Sequence, residues 1–289
     1  MGLKQMRTDL MKTVLILVVP LLTAACAALP TNVTGARPNE PPYPIVLPEE
    51  QARIADTLLV WRRLAQSSSV PETAQLKLNP FTATIDSLPP NATLFLPKVG
   101  EGKTMSEEET RESLRRFIKD WQGLIGADPN QLSLVEWSDL PDKTKLALYA
   151  QRPFRYPLRG RYGSLRIVFG ADRRVLEFSS TCIPNADRFQ AAIAALSPQL
   201  SWADAATRVA NRQVSFTAAN GQKSSYQLTA TNKPDVKELV IFSQDPIASG
   251  GQLELRLAWE VAVSNAPFKY VYVDAVKGDI LGASVSDKL

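Results

Sequence analysis

Histidine is missing from all 289 residues, and that absence removes much of the chemistry open to a chain of this size. A Ser-His-Asp or Cys-His nucleophile pair needs an imidazole as its base. The His-Glu-x-x-His zinc site needs two. Carboxylates, lysines, arginines and two cysteines, Cys26 and Cys182, remain. No short motif joins the carboxylates into an acid–base pair, and there is no glycine-rich phosphate loop. The residues therefore predict no enzyme, no cofactor and no metal site.

The remaining groupings each have two readings. Asp274 and Asp279 flank a turn around Gly278. Calcium binding or acid–base work is one use, and turn hydrogen bonding with positive φ at Gly278 is the plainer one. Glu107, Glu108 and Glu109 stand where acidic residues complement a helix N-terminus. Arg152, Arg155, Arg159, Arg161, Arg166, Arg173 and Arg174 put seven arginines into 23 residues, interleaved with Phe154, Tyr156, Tyr162 and Phe169. They suit an anionic surface, such as lipid headgroups, cell-wall polymers or an acidic partner. They equally suit a solvated sheet face whose arginine stems cover aromatics. Tyr270 and Tyr272 share one face of a strand and are candidate groove or edge contacts. Trp259 belongs to a leucine face and reads as core. Cys182, between Thr181 and Ile183, reads as a packed thiol.

The elements that must position these residues are legible from periodicity. Glu49–Gln66 is helix-like, with Ile54, Leu58, Trp61 and Leu64 on one stripe. Ser106 followed by Glu109 is a capping box for a helix carrying Leu114, Phe117, Ile118 and Trp121, which stops at Gly126. Ser201 and Asp204 open a second helix over 202–212. Between them, Leu165, Ile167 and Phe169 alternate into a hairpin that turns at 170–173 and returns through Val175 and Phe178. Leu253, Leu255, Leu257, Trp259, Val261 and Val263 alternate with Glu254, Arg256 and Glu260, which predicts a strand with one buried and one wet face. A final hairpin follows over 268–285, and helix 202–212 is its predicted lid. The order of a helix followed by strands ending in a hairpin occurs twice.

The N-terminus predicts export. Lys4, Arg7 and Lys12 precede an apolar run of ten residues, Thr13–Leu22, and then small residues, the layout of a secretory signal. Ten helical residues rise only about 15 Å, too short for a hydrocarbon core of about 30 Å. LLTAAC resembles the lipobox of bacterial lipoproteins, with Thr23 where leucine is usual; it implies a lipid on Cys26. Ordinary cleavage near Ala24–Ala28 is the alternative, releasing a soluble protein. With Cys26 lipidated, Cys182 is the one thiol left; a Cys26–Cys182 bridge is the competing use. Residues 27–48 carry six prolines, which predicts an extended tether, or for its second half a segment packed on the domain. After removal of the signal, 30 basic residues face 28 acidic ones, which is no nucleic-acid footprint.

LAWEVAVSNAPFKYVYVDAVKGDILGA, with the helix at Ser201–Val214 before it, resembles a PepSY domain. Tyr149-Ala150-Gln151, then PLRGRYG at 157–163 and the hairpin to Ser179, resemble the fungalysin/thermolysin propeptide module. The resemblance covers roughly 105–289. It implies an α+β fold of two tandem modules, each an antiparallel sheet with a helix on one face. The expected organisation is a signal at 1–26, tether at 27–48, N-terminal extension at 49–104, and modules at 105–184 and 185–289. In such precursors a protease follows, yet no His-Glu-x-x-His is present here. The resemblance therefore implies a non-catalytic binding module that engages a secreted or periplasmic peptidase, or an envelope complex. A structural lipoprotein of the envelope, with no protease partner, is the alternative.

Overall fold

The computed structural model describes residues 42–48, 51–67, 70–71, 74–90, 92–102, 104–218, 220–244 and 251–285. The fold is α+β. In chain order, β1 (Ile45–Val46) and α1 (Gln51–Ser67) precede the short strands β2 (Lys77–Leu78), β3 (Ile85–Ser87) and β4 (Leu94–Phe95). Then come α2 (Glu107–Asp120), α3 (Gln122–Ile125), a 3-10 turn at Pro129–Gln131, β5 (Leu132–Asp139) and β6 (Lys145–Gln151). The middle of the chain forms β7 (Leu158–Gly160), β8 (Ser164–Phe169), β9 (Arg174–Ser180), α4 (Asp187–Ala194) and α5 (Trp202–Val209). The chain continues through β10 (Gln213–Thr217), β11 (Lys223–Gln227), β12 (Pro234–Gln244), β13 (Glu254–Val263), β14 (Tyr270–Asp274) and β15 (Ile280–Ser284).

The first large sheet has the order β4-β9-β8-β6-β5 and is antiparallel throughout. The capping box at Ser106 forms as predicted: its hydroxyl accepts from the Glu109 N–H, and the Glu109 carboxylate accepts from the Ser106 N–H at 2.7 Å. That fixes the start of α2 and aims Leu114, Phe117 and Ile118 at the sheet, where each is buried. Phe117 stacks on Trp121 with centroids 5.5 Å apart, and both meet the edge of Phe178, at 5.2 and 5.9 Å. Trp61 of α1 joins at 6.3 Å from Trp121. The buried stripe of α1 is Thr57, Trp61 and Ala65; Ile54, placed on the stripe by spacing, is 38% exposed.

The second sheet has eight strands. Its path is β11-β10-β15-β14-β13-β12-β7, and β1 pairs with β13 beyond the end of β14. α5 covers one face with Ala205 and Val209, the latter clustered with Val261, Val263, Val271 and Val273; this is the predicted lid. Ile193 of α4 packs on Leu255 and Leu257 of the same face.

Two strands reach this sheet from stretches that the sequence assigns elsewhere. β7, from within 105–184, pairs in parallel with β12 through Leu158↔Ile241 and Gly160↔Ser243. Two glycines at positive φ shape this excursion out of the first sheet, Gly160 at +105° and Gly163 at +92°. A Cβ on Gly160 would lie 2.5 Å from the Ser243 carbonyl oxygen, so the close approach of β7 to β12 requires glycine. β1 and the residue after it, from the proline-rich 27–48 stretch, bury Ile45 and Leu47 to 5% exposure each, which is the packed alternative for the second half of that stretch. A boundary at 184/185 therefore does not separate the two sheets cleanly: the first stretch contributes an edge strand to the second sheet.

Candidate functional site on the helix-free sheet face

The alternation in β13 sends Leu255, Leu257 and Val261 to the helix-covered face and Glu254, Arg256, Ala258 and Glu260 to the other. Register places Asp274 beside Ala258, Tyr272 beside Glu260, Phe242 beside Arg256, and Arg159 beside Phe242. Among the described residues, no helix residue joins the apolar cluster on this side, formed by Val240, Ala258, Tyr272, Phe242, Tyr270 and Leu281. Yet the face is not wet, as period two alone predicts. Asp274 is fully buried and Glu260 is 5% exposed. The side chains cover one another, with Phe242 stacked on Tyr272 at 4.6 Å.

Two ionic clusters frame that stack. In the first, Asp274 Oδ1 accepts from the Tyr43 hydroxyl at 2.7 Å and from the backbone N–H groups of Val276 and Lys277 at 2.8 and 2.9 Å. Its Oδ2 accepts from Arg256 Nη1 at 2.9 Å, and Arg256 Nη2 also donates to Glu254 at 2.7 Å. Burial alone would favour a neutral Arg256, but the Glu254 and Asp274 carboxylates outweigh it and raise its pKa. Burial, then the Asp274 charge, pushes the Tyr43 hydroxyl well above the usual phenol range. In the second cluster, Arg159 donates to Glu260 at 2.9 Å and to Glu238 at 3.2 Å, and the Tyr272 hydroxyl donates to Glu260 at 3.3 Å. Burial, then Glu260, pushes Tyr272 above its ordinary range.

This arrangement can present a rigid surface. Its acids point at arginines, tyrosines and N–H groups and serve to hold strands in register. The turn reading of Asp274 describes its contacts: it ties the β14–β15 turn, with Gly278 at φ +82° as expected. Asp279 is exposed and Tyr270 is half-buried. Tyr272 is a core residue of the face, so it is not an edge contact. The last hairpin also has no free edge along β15, because β10 pairs with it in parallel at Phe216↔Ala283. The helix expected over 202–212 ends at Val209, and β10 follows at once and takes that edge.

The seven arginines do not form one patch. Arg159 belongs to the second sheet and its ion pairs. Arg166 pairs with Glu177 at 2.9 Å on the first sheet. Arg173 and Arg174 lie at the β8–β9 turn, where Arg173, at φ +71°, donates to the Leu96 carbonyl oxygen at 3.0 Å. The length of β8, about 20 Å for six residues, separates that turn from Arg161. Arg152, Arg155 and Arg161 are exposed, with Arg155 over the Tyr156 ring at 5.5 Å. Cys182 is a free, buried thiol. Cys26, the signal stretch and the last four residues lie outside the described residues.

Tyr43, Glu238, Glu254, Arg256 and Glu260 were missed as members of a site. The alternation of Glu254, Arg256 and Glu260 with leucines was visible, but pairing them requires the register of neighbouring strands. Replacing Arg159 by alanine is expected to cost about 2 kcal/mol, because it strips the charged donor from the buried Glu260. The shift in urea midpoint reads it; a loss under about 0.5 kcal/mol would show that Tyr272 alone satisfies the carboxylate.

The chain matches no family model, and no curated protein matches it.

Proposed function

We propose that this chain is an exported, non-catalytic binding module, anchored by a lipid on Cys26, that docks on a peptidase through the helix-free face of its large sheet. The observation that supports this reading is the half-buried Phe242, seated on the ring of the buried Tyr272. It is flanked by half-buried Tyr270 and Leu281 and stiffened on both sides by ion pairs. Rigid aromatic groups set among neutralised charges suit protein interfaces, since little side-chain entropy is lost on docking. The resemblance of 105–289 to two tandem propeptide-like modules, PepSY-like in the second, makes a peptidase the partner of choice.

The test is co-purification of the tagged chain, with its native signal, from detergent-solubilised envelope, followed by peptidase assays with the purified pair. A peptidase is expected as main partner, with its activity changed by the chain. Phe242→Asp, which places a charge on this face, is expected to weaken the pair by 2 kcal/mol or more, about thirtyfold. Recovery of envelope scaffold proteins without any peptidase would replace this reading with a structural lipoprotein. An unlipidated chain in the soluble fraction would remove the anchor.

A further inference from the structure

The longest outer strand of the first sheet is β5. The other outer strand of that sheet, β4, has two residues, and those of the second sheet have three and five. Hydrogen-bond parity identifies which backbone groups of β5 face outward. The Arg152 N–H donates to the Gln131 carbonyl oxygen, and the Leu140 N–H to the Thr144 carbonyl oxygen. Counting inward from both ends through the β5–β6 register, Ser133, Glu136 and Ser138 bond to β6. Leu132, Leu134, Trp137 and Asp139 then direct their N–H and C=O groups away from the sheet. The Leu132 N–H is taken by the Pro129 carbonyl oxygen. A bulge between Leu134 and Glu136 leaves Val135 43% exposed on this edge.

An eight-residue outer strand with outward backbone groups is a template for strand addition. The geometry points to β5 as a second docking element, one that adds an extended segment of another protein as an antiparallel strand. This inference stands apart from the helix-free face and does not rest on it. The chemistry of the added segment follows from register. Residues opposite Leu134 and Trp137 lie on the core side and are apolar. The residue opposite Glu136 lies on the outer side and is basic. A second copy of this chain fits poorly: pairing Leu134 with Trp137 of the copy brings the two Glu136 carboxylates within one residue of each other on the same side, a repulsive arrangement.

Two acetylated octapeptides test this against the full chain, one alternating valine and lysine, the other valine and glutamate. The lysine peptide is expected to bind about tenfold more tightly and to slow hydrogen exchange at the Leu134 and Trp137 amides. Glu136→Arg, at a half-buried position on the outer side of β5, is expected to invert the preference. Leu134→Pro removes an outward donor and no β5–β6 bond, so it is expected to abolish binding of both peptides while β6 amides stay protected. Binding of neither peptide, binding without protection of those two amides, or an unchanged preference in Glu136→Arg would each overturn the proposal. Concentration-dependent dimerisation that itself protects the two amides would overturn it in favour of a second copy.

Discussion

Asp274→Ala is expected to lose about 3–5 kcal/mol of stability, the range for a buried ion pair broken from one side. The carboxylate is fully buried and holds a guanidinium, a phenol and two backbone N–H groups at once. Alanine would leave Arg256, whose side chain is 14% exposed, paired with Glu254. It would also leave the N–H groups of the last turn without their acceptor. The same change unpins Tyr43, which enters the fold two residues before β1, so the pairing of β1 with β13 should loosen as well. Urea unfolding measures the loss. Asp279→Ala, on the exposed side of the same turn, is the control and should stay within about 0.5 kcal/mol. A cost under about 1 kcal/mol for Asp274→Ala would mean that water replaces the carboxylate and that the cluster does not organise this end of the sheet. Tyr43→Phe removes one hydrogen bond to the same oxygen and should cost only about 1.5 kcal/mol.

Local signals are legible in the sequence because they depend on few neighbours. The capping box at Ser106 and the positive φ at Gly278 are set by residues within one turn, and both stand in the structure; the helix from Ser106 stops at Asp120 rather than at Gly126, which ends the short α3 instead. The second cap is half of what its pattern suggests: Ser201 accepts from the Asp204 N–H, but its hydroxyl then donates to the Asp204 carboxylate at 2.6 Å. Membership of a sheet is different, because short strands carry no period. β1, β4 and β7 have two or three residues each, and proline or glycine beside them argues for loop. Only the partner strand, Leu255 for Ile45 or Ile241 for Leu158, reveals their role. The same limit hid the site. Glu260 and Arg159 are 101 residues apart, and no spacing rule joins them. The wet face predicted from β13 assumed that a polar side chain faces water, whereas aromatic neighbours on β12 and β14 cover it.

Three phenols and one thiol held in the neutral form make this fold sensitive to alkaline pH. Burial pushes the Cys182 thiol from 9.0 up to about 12, with the Ser180 hydroxyl pulling the other way. Burial likewise pushes Tyr149 up to about 12, opposed by the Arg111 charge, and Tyr43 and Tyr272 stand higher still. Below pH ~8.5, the thiol and the phenols are protonated in both folded and unfolded chains, and these groups contribute no pH dependence. As pH rises through the unfolded values, about 8.5 for cysteine and about 10 for tyrosine, the unfolded chain releases protons that the folded chain keeps. Stability then falls with pH, by up to about 1.4 kcal/mol per unit for each such group, until the folded pKa is passed. Cys182 alone should remove about 2 kcal/mol between pH 9 and pH 10.5, with the tyrosines adding to the slope above pH ~10. Urea midpoints taken every half unit from pH 8 to 11 measure the curve, and thiolate absorbance measures Cys182 directly in the folded chain. Cys182→Ala should flatten the first part of the fall and leave the tyrosine part in place. A folded thiol that ionises near pH 9, or a midpoint unchanged up to pH 10.5, would show that water reaches these groups in the native state.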